Sequence, residues 1–144
     1  MNAKTETPPW IRAILTWPWL SPISRIALVS AFLIGGIQKL IDFPGAVAEQ
    51  AHFGLHPAWL WAASAIVVEL VGSALVIMGQ WTWLGAGGLG VLTAVAMLTA
   101  NDFWAMTGHD RFIATNDFFE HLGLIAGLVL VSVLSLRGLA ARSQ

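Results

Sequence analysis

The chain has 144 residues, the size of one domain, of which 57% are hydrophobic and only 10% charged, against roughly 25% charged in soluble domains. The net charge of -1 gives no sign of nucleic-acid binding, and with a mean hydropathy of +0.74 the composition marks an integral membrane protein. The absence of cysteine excludes disulfides, Fe–S clusters and thiolate zinc sites.

The first 23 residues carry Pro8, Pro9, Trp10, Trp17, Pro18 and Trp19. They lack the unbroken apolar core of a cleavable signal peptide. WIRAIL within them is expected to lie along the membrane surface. Four segments then meet the requirement of about 20 mostly apolar residues for a membrane span: residues 24–41, 58–79, 83–104 and 117–136. Pro22 and Pro57 stand before the first two, where a missing N–H costs little. No period-two alternation argues for strands, and an open sheet could not leave its edges unpaired in lipid. The expected fold is all-α, an integral membrane four-helix bundle with a short interfacial helix in the first outer loop. That helix is read from FPGAVAEQAHFG, with Pro44 near its start and Gly54 at its end. A tail follows from residue 137.

The eight tryptophans fall at the ends of these spans: Trp10, Trp17, Trp19, Trp81 and Trp83 on one side, Trp59, Trp61 and Trp104 on the other. Such clustering predicts an aromatic belt at the headgroups. Lys4, Arg12, Arg25, Arg137 and Arg142 share the side of both termini, and only Lys39 and Arg111 lie opposite. Five against two predicts cytoplasmic termini, with the loops at residues 42–57 and 105–116 facing outward.

Several patterns that resemble chemistry are better read as packing. GAGGLG at residues 85–90 matches G-x-G-x-x-G, but that fingerprint requires a preceding strand. Inside a membrane helix the same glycines let neighbouring helices approach, as do Gly35, Gly36, Gly72 and the pair Gly123 and Gly127. His52 and His56 are four apart but are interrupted by Gly54 and followed by Pro57, so no metal site is expected there. No nucleophile elbow is present.

Glu69 carries more information. It lies about 16 Å into the second span, near the middle of a hydrocarbon layer roughly 30 Å thick. A charge there costs at least about 3 kcal/mol and is normally turned to the bundle interior. Two readings stay open: a structural carboxyl hydrogen-bonded across the bundle, or a group that handles protons or a ligand. The other polar groups gather at the outer ends: Gln38 and Lys39, Asn101 and Asp102, then Asn116, Asp117, Glu120 and His121. Together they are expected to line a pocket near the outer face. Asp117 and His121, four apart, could simply steady each other. Glu120 lies about 100° round the helix from His121. If the face of Gly123 and Gly127 packs inward, Glu120 meets Lys39 or Asp102. Lys39 could equally reach the headgroups.

RIALVSAFLIGGIQKLIDFPG, VELVGSALVIMGQWTWLGA and NDFFEHLGLIAGLVLV resemble the DoxX family of small four-helix membrane proteins. The similarity runs over residues 25–135. Its motifs are an arginine opening the first span, G-x-x-K-L closing it, E-x-x-G in the second, and N-x-x-x-E-H opening the fourth. The matching residues are Arg25, Gly36, Lys39, Glu69, Gly72, Glu120 and His121. The resemblance implies a membrane subunit associated with redox enzymes; the name-giving member looks like the small subunit of a thiosulfate:quinone oxidoreductase. Family roles are diverse, and a fold does not fix a function.

From residues and resemblance together, the expected function is a membrane subunit associated with a quinone-linked oxidoreductase. Quinone is the expected cofactor and Glu69, Glu120 and His121 the proton-handling groups. Gln38, Lys39, Asn101 and Asp102 are expected to bind the cofactor. The redox centre would belong to a partner protein, or the chain would form a homo-oligomer. The alternative is a non-enzymatic assembly or anchor module, or a small transporter.

Overall fold

A computed structural model describes residues 7–100 and 102–142, with side chains described up to residue 138. A short helix α1 (Pro9–Leu15) precedes α2 (Leu20–Ile41). The interfacial α3 (Phe43–His52) and the long helices α4 (Ala58–Met78) and α5 (Thr82–Ala100) follow. A single 3-10 turn (Phe103–Ala105) leads into α6 (Gly108–Arg142). Four helices are thus long and apolar enough to cross a membrane, as expected, and no strand occurs among the described residues. The end holding the start of α2 and the α4–α5 turn is here called basal, and the end holding α3 apical.

The local signals act where chemistry requires. The Asp42 side chain accepts a hydrogen bond from Gly45 N at 3.0 Å, capping α3. Gly54 adopts φ +74° beyond its end. Gly79 ends α4 at φ +73°, a left-handed backbone that favours glycine. All eight tryptophans are exposed, from 37% at Trp61 to 68% at Trp81, which fits a headgroup belt and not core packing.

Two expected boundaries move. α2 begins at Leu20 and takes in Pro22, whose missing N–H is harmless in the first turn. α6 begins at Gly108, so most of the expected loop at residues 105–116 is helical. The segment lies between two apolar spans, but a helix outside hydrocarbon needs no apolar sequence. Asp110 in the first turn also suits the positive end of the helix dipole.

α2 packs on α4, α4 on α5 and α5 on α6. The α4–α5 approach is closest at Gly72 and Gly85. A Cβ at Gly72 would lie 3.1 Å from Gly85 O, and one at Gly85 would lie 2.5 Å from Gly72 O. The buried cluster Val29, Val76, Ala86, Leu89 and Leu128 joins all four helices in the basal half. The α2–α6 contact is slight and includes Leu28, whose Cδ1 is 3.0 Å from a Cβ built on Gly127.

Gly123 was expected to pack inward, yet a Cβ there would meet nothing within 4 Å. Gly123→Ala is therefore expected to raise stability by up to ~1 kcal/mol through helix propensity. Gly127→Ala, which crowds Leu28, should not share that gain. Thermal unfolding of the two variants in detergent checks the contrast.

Candidate functional site

Glu69 sits on the buried stripe of α4, between Ile66 and Gly72, and is 7% exposed. Its depth forces a partner, and α2 provides one. Lys39, one turn from the apical end of α2, turns its side chain toward the basal half and sets Nζ 2.8 Å from Glu69 Oε1. The two glycines of α2 make room. A Cβ on Gly35 would lie 3.5 Å from Lys39 Nζ and 3.6 Å from Glu69 Oε1, so the ion pair rests against bare backbone. A Cβ on Gly36 would lie 2.9 Å from Leu70 Cδ2, which fixes how near α4 comes.

The pair borders a cavity of about 600 Å³ in the apical half. α4 supplies Trp61, Ala65 and Val68, and α5 supplies Gly88, Leu92 and Val95. Glu49 and Gln50 of α3 and Phe53 just past its end stand at its apical rim. Val91 and Trp61, which line it, are also exposed, so the cavity opens at the surface of the bundle. Its volume falls within the roughly 300–1,000 Å³ of small-molecule sites, and its walls are mainly apolar, as such sites are. Polar groups are few: Lys39, Glu69, His121, and Glu49 and Gln50 at the rim, with Ser64 and Thr99 on the walls. Glu69 Oε2 is buried without a hydrogen-bond partner. Ser73 Oγ, one helical turn basal of it, is in the same state. Buried oxygens without partners are uncommon and call for an explanation.

His121 reaches the cavity from α6 and is half-buried. Its Nδ1 is hydrogen-bonded to the backbone carbonyl of Asp117, not to the Asp117 side chain as expected. In the neutral ring that contact assigns the proton to Nδ1 and leaves Nε2 as the acceptor.

Of the seven expected site residues, Glu69, Lys39 and His121 come together. Glu120 does not: it is exposed on the surface of α6, and Lys39 pairs with Glu69 instead. Inward positions on α6 recur every seven residues, at Ala114, His121, Leu128 and Ser135, and Glu120 falls off that seam. Gln38 is likewise exposed. Asp102 is half-buried but does not line the cavity. Asn101 lies outside the described residues. Glu49, Gln50, Ser64 and Thr99 were missed. The 3.6-residue stripe of α4 would have flagged Ser64 beside Ala65, whereas the folding of α3 over the cavity leaves no periodic signal.

A polytopic all-α bundle with an ion pair beside an apical cavity defines a small integral membrane protein. The DoxX family profile matches residues 21–102, more than half of the chain, and the chain belongs to that family. The match contains Arg25, Lys39 and Glu69 and stops short of His121. The chain is also similar to inner membrane protein YphA of Escherichia coli (strain K12), at 28% identity over 116 residues, covering 81% of this chain and 83% of that protein. No solved structure matches.

Proposed function

We propose that the chain is a quinone-binding membrane subunit of an oxidoreductase, with the apical cavity as the ring's site. The observation carrying this reading is the unpartnered Oε2 of Glu69 beside an apolar cavity open at the surface of the bundle. Such a cavity suits a flat apolar ring delivered from the bilayer, and its few polar groups suit ring oxygens. Lys39 Nζ spends one of its three N–H donors on Glu69 and keeps the others. Glu69 Oε2 and His121 Nε2 are the acceptors that would hold or pass a proton. A bound quinone supplies a two-electron, two-proton couple. The redox centre exchanging electrons with it would belong to a partner protein carrying flavin, haem or metal. On the same reading the termini face the cytoplasm of a bacterial inner membrane, which the distribution of Lys and Arg supports.

Purification in mild detergent followed by lipid extraction and chromatography tests the proposal. Quinone should co-purify with the native chain. Its occupancy should fall roughly tenfold in Glu69→Gln or His121→Ala, the loss of one hydrogen bond to a charged or strongly polar group. Equal quinone content in both well-expressed variants, or none in the native chain, rejects the proposal in favour of an anchor or assembly role.

A further inference from the structure

The basal end holds a second charged group that the proposed function does not use. Arg25 lies near the start of α2 with its guanidinium half-buried among the other three long helices. NH1 donates to Val76 O of α4 at 3.1 Å and to Thr82 Oγ1 of α5 at 3.4 Å. NH2 donates to Ser135 Oγ of α6 at 3.0 Å. All three acceptors are neutral. The guanidinium has five N–H donors, so two remain available. Among the described residues the one ion pair is Lys39–Glu69, and no carboxylate faces Arg25. The acidic side chains Asp42, Glu49, Glu69, Asp102, Asp110, Asp117 and Glu120 all lie toward the apical end or the middle of the bundle, and Glu6 is outside the described residues.

A partly desolvated cation held by neutral dipoles alone lacks the counter-charge that such groups normally have. Beside it is a cleft of about 430 Å³ lined by Ser21, Arg25, Gly79, Ser135 and Gly138. The cleft sits at headgroup depth. Thr82, which Arg25 contacts, lies between Trp81 and Trp83, both strongly exposed at the basal edge. Exposed Met78 and Leu134 border the same cleft and offer an apolar track toward the hydrocarbon.

We infer that Arg25 and this cleft form a binding site for a phosphate ester, namely the headgroup of an acidic phospholipid in the basal leaflet. The guanidinium fork matches two phosphate oxygens. Ser21 adds a hydroxyl on the cleft wall. Acyl chains run along Met78 and Leu134. The lipid bridges α2 and α6 where their direct contact is slight.

The test uses the full chain in nonionic detergent and reads thermal unfolding. Added phosphatidylglycerol should raise the midpoint by about 3–5 °C, as a ligand selective for the folded state does. Phosphatidylcholine and inorganic phosphate should leave it within about 1 °C of its starting value. Arg25→Lys keeps the charge but loses the fork, and should lose most of the shift. Arg25→Ala also removes three helix-joining hydrogen bonds, so Gly138→Phe provides an independent arm. Gly138 lies on the cleft wall and a Cβ there meets no atom within 4 Å, so a ring at this position is intended to block the cleft while leaving every bond to Arg25 in place. This variant should fold with a native midpoint and show no phosphatidylglycerol response. Three results would overturn the site: equal shifts with both lipids, a full response in Gly138→Phe, or a shift with inorganic phosphate matching that with phosphatidylglycerol.

Discussion

Lys39→Met is expected to destabilise the bundle by up to about 3 kcal/mol, the low end of the cost of breaking a buried ion pair, because Glu69 is buried but Lys39 only half-buried. The substitution keeps most of the side chain's volume and removes only the charge opposite Glu69 Oε1. The carboxylate then faces an apolar cavity, with Gly35 offering no side chain to replace the ammonium. Removing both charges in Lys39→Met/Glu69→Met should return most of the loss, because apolar replacements of a buried pair are often neutral or stabilising. Unfolding free energies for the two single variants and the double variant give the coupling directly. A single Lys39→Met cost below about 1 kcal/mol, the range of a solvated surface pair, would show that the pair is not desolvated in the membrane. Quinone content measured on the same samples separates stability from binding: the double variant should be stable yet depleted.

Gly85→Val is expected to be the most damaging single change in the basal half. Even a Cβ at this position would lie 2.5 Å from Gly72 O and 2.9 Å from Leu75 Cβ. The first of these is backbone, which cannot rotate away, so α4 and α5 must separate. Overpacking of a tight core costs about 1–3 kcal/mol and sometimes more, and here it also disturbs Ala86 and Leu89 of the shared cluster. The expected readout is a lowered unfolding midpoint and earlier proteolysis in the α4–α5 turn. By contrast, Gly87→Val, where a Cβ has nothing within 4 Å, should pass almost unnoticed in the same assays. Similar midpoints for the two variants would mean that the helices do not approach as closely as Gly72 and Gly85 indicate.

The sequence yields the spans because hydrocarbon imposes length and apolarity on every membrane helix, and it yields the depth of Glu69 for the same reason. It also yields α3, since Pro44 and Gly54 mark that helix locally. The orientation of α6 is harder. Glycine spacing suggests that Gly123 and Gly127 pack inward, and this reading turns Glu120 toward the bundle. Only Gly127 touches a neighbour, and the seam runs instead through Ala114, His121, Leu128 and Ser135. A helix whose lipid face and core face are both apolar has too little contrast for a period to decide which side is which. The choice of Glu69 as the partner of Lys39 is a matter of which helices touch, and α2 lies on α4 while barely meeting α6. The acceptors of Arg25 were beyond reach for a related reason. Val76, Thr82 and Ser135 come from three different helices, and one of the three contributes only a carbonyl, which no residue type signals.

α6 spans 35 residues, or about 52 Å at 1.5 Å per residue, against a hydrocarbon layer of roughly 30 Å. Its first turns therefore stand clear of the lipid as a rod continuous with the wall that holds His121. Backbone hydrogen bonding along such a rod transmits tilt or rotation as a lever does. His121 lies nine residues along the same helix from Phe112, about 14 Å at 1.5 Å per residue, so a tilt of the tip carries the imidazole with it.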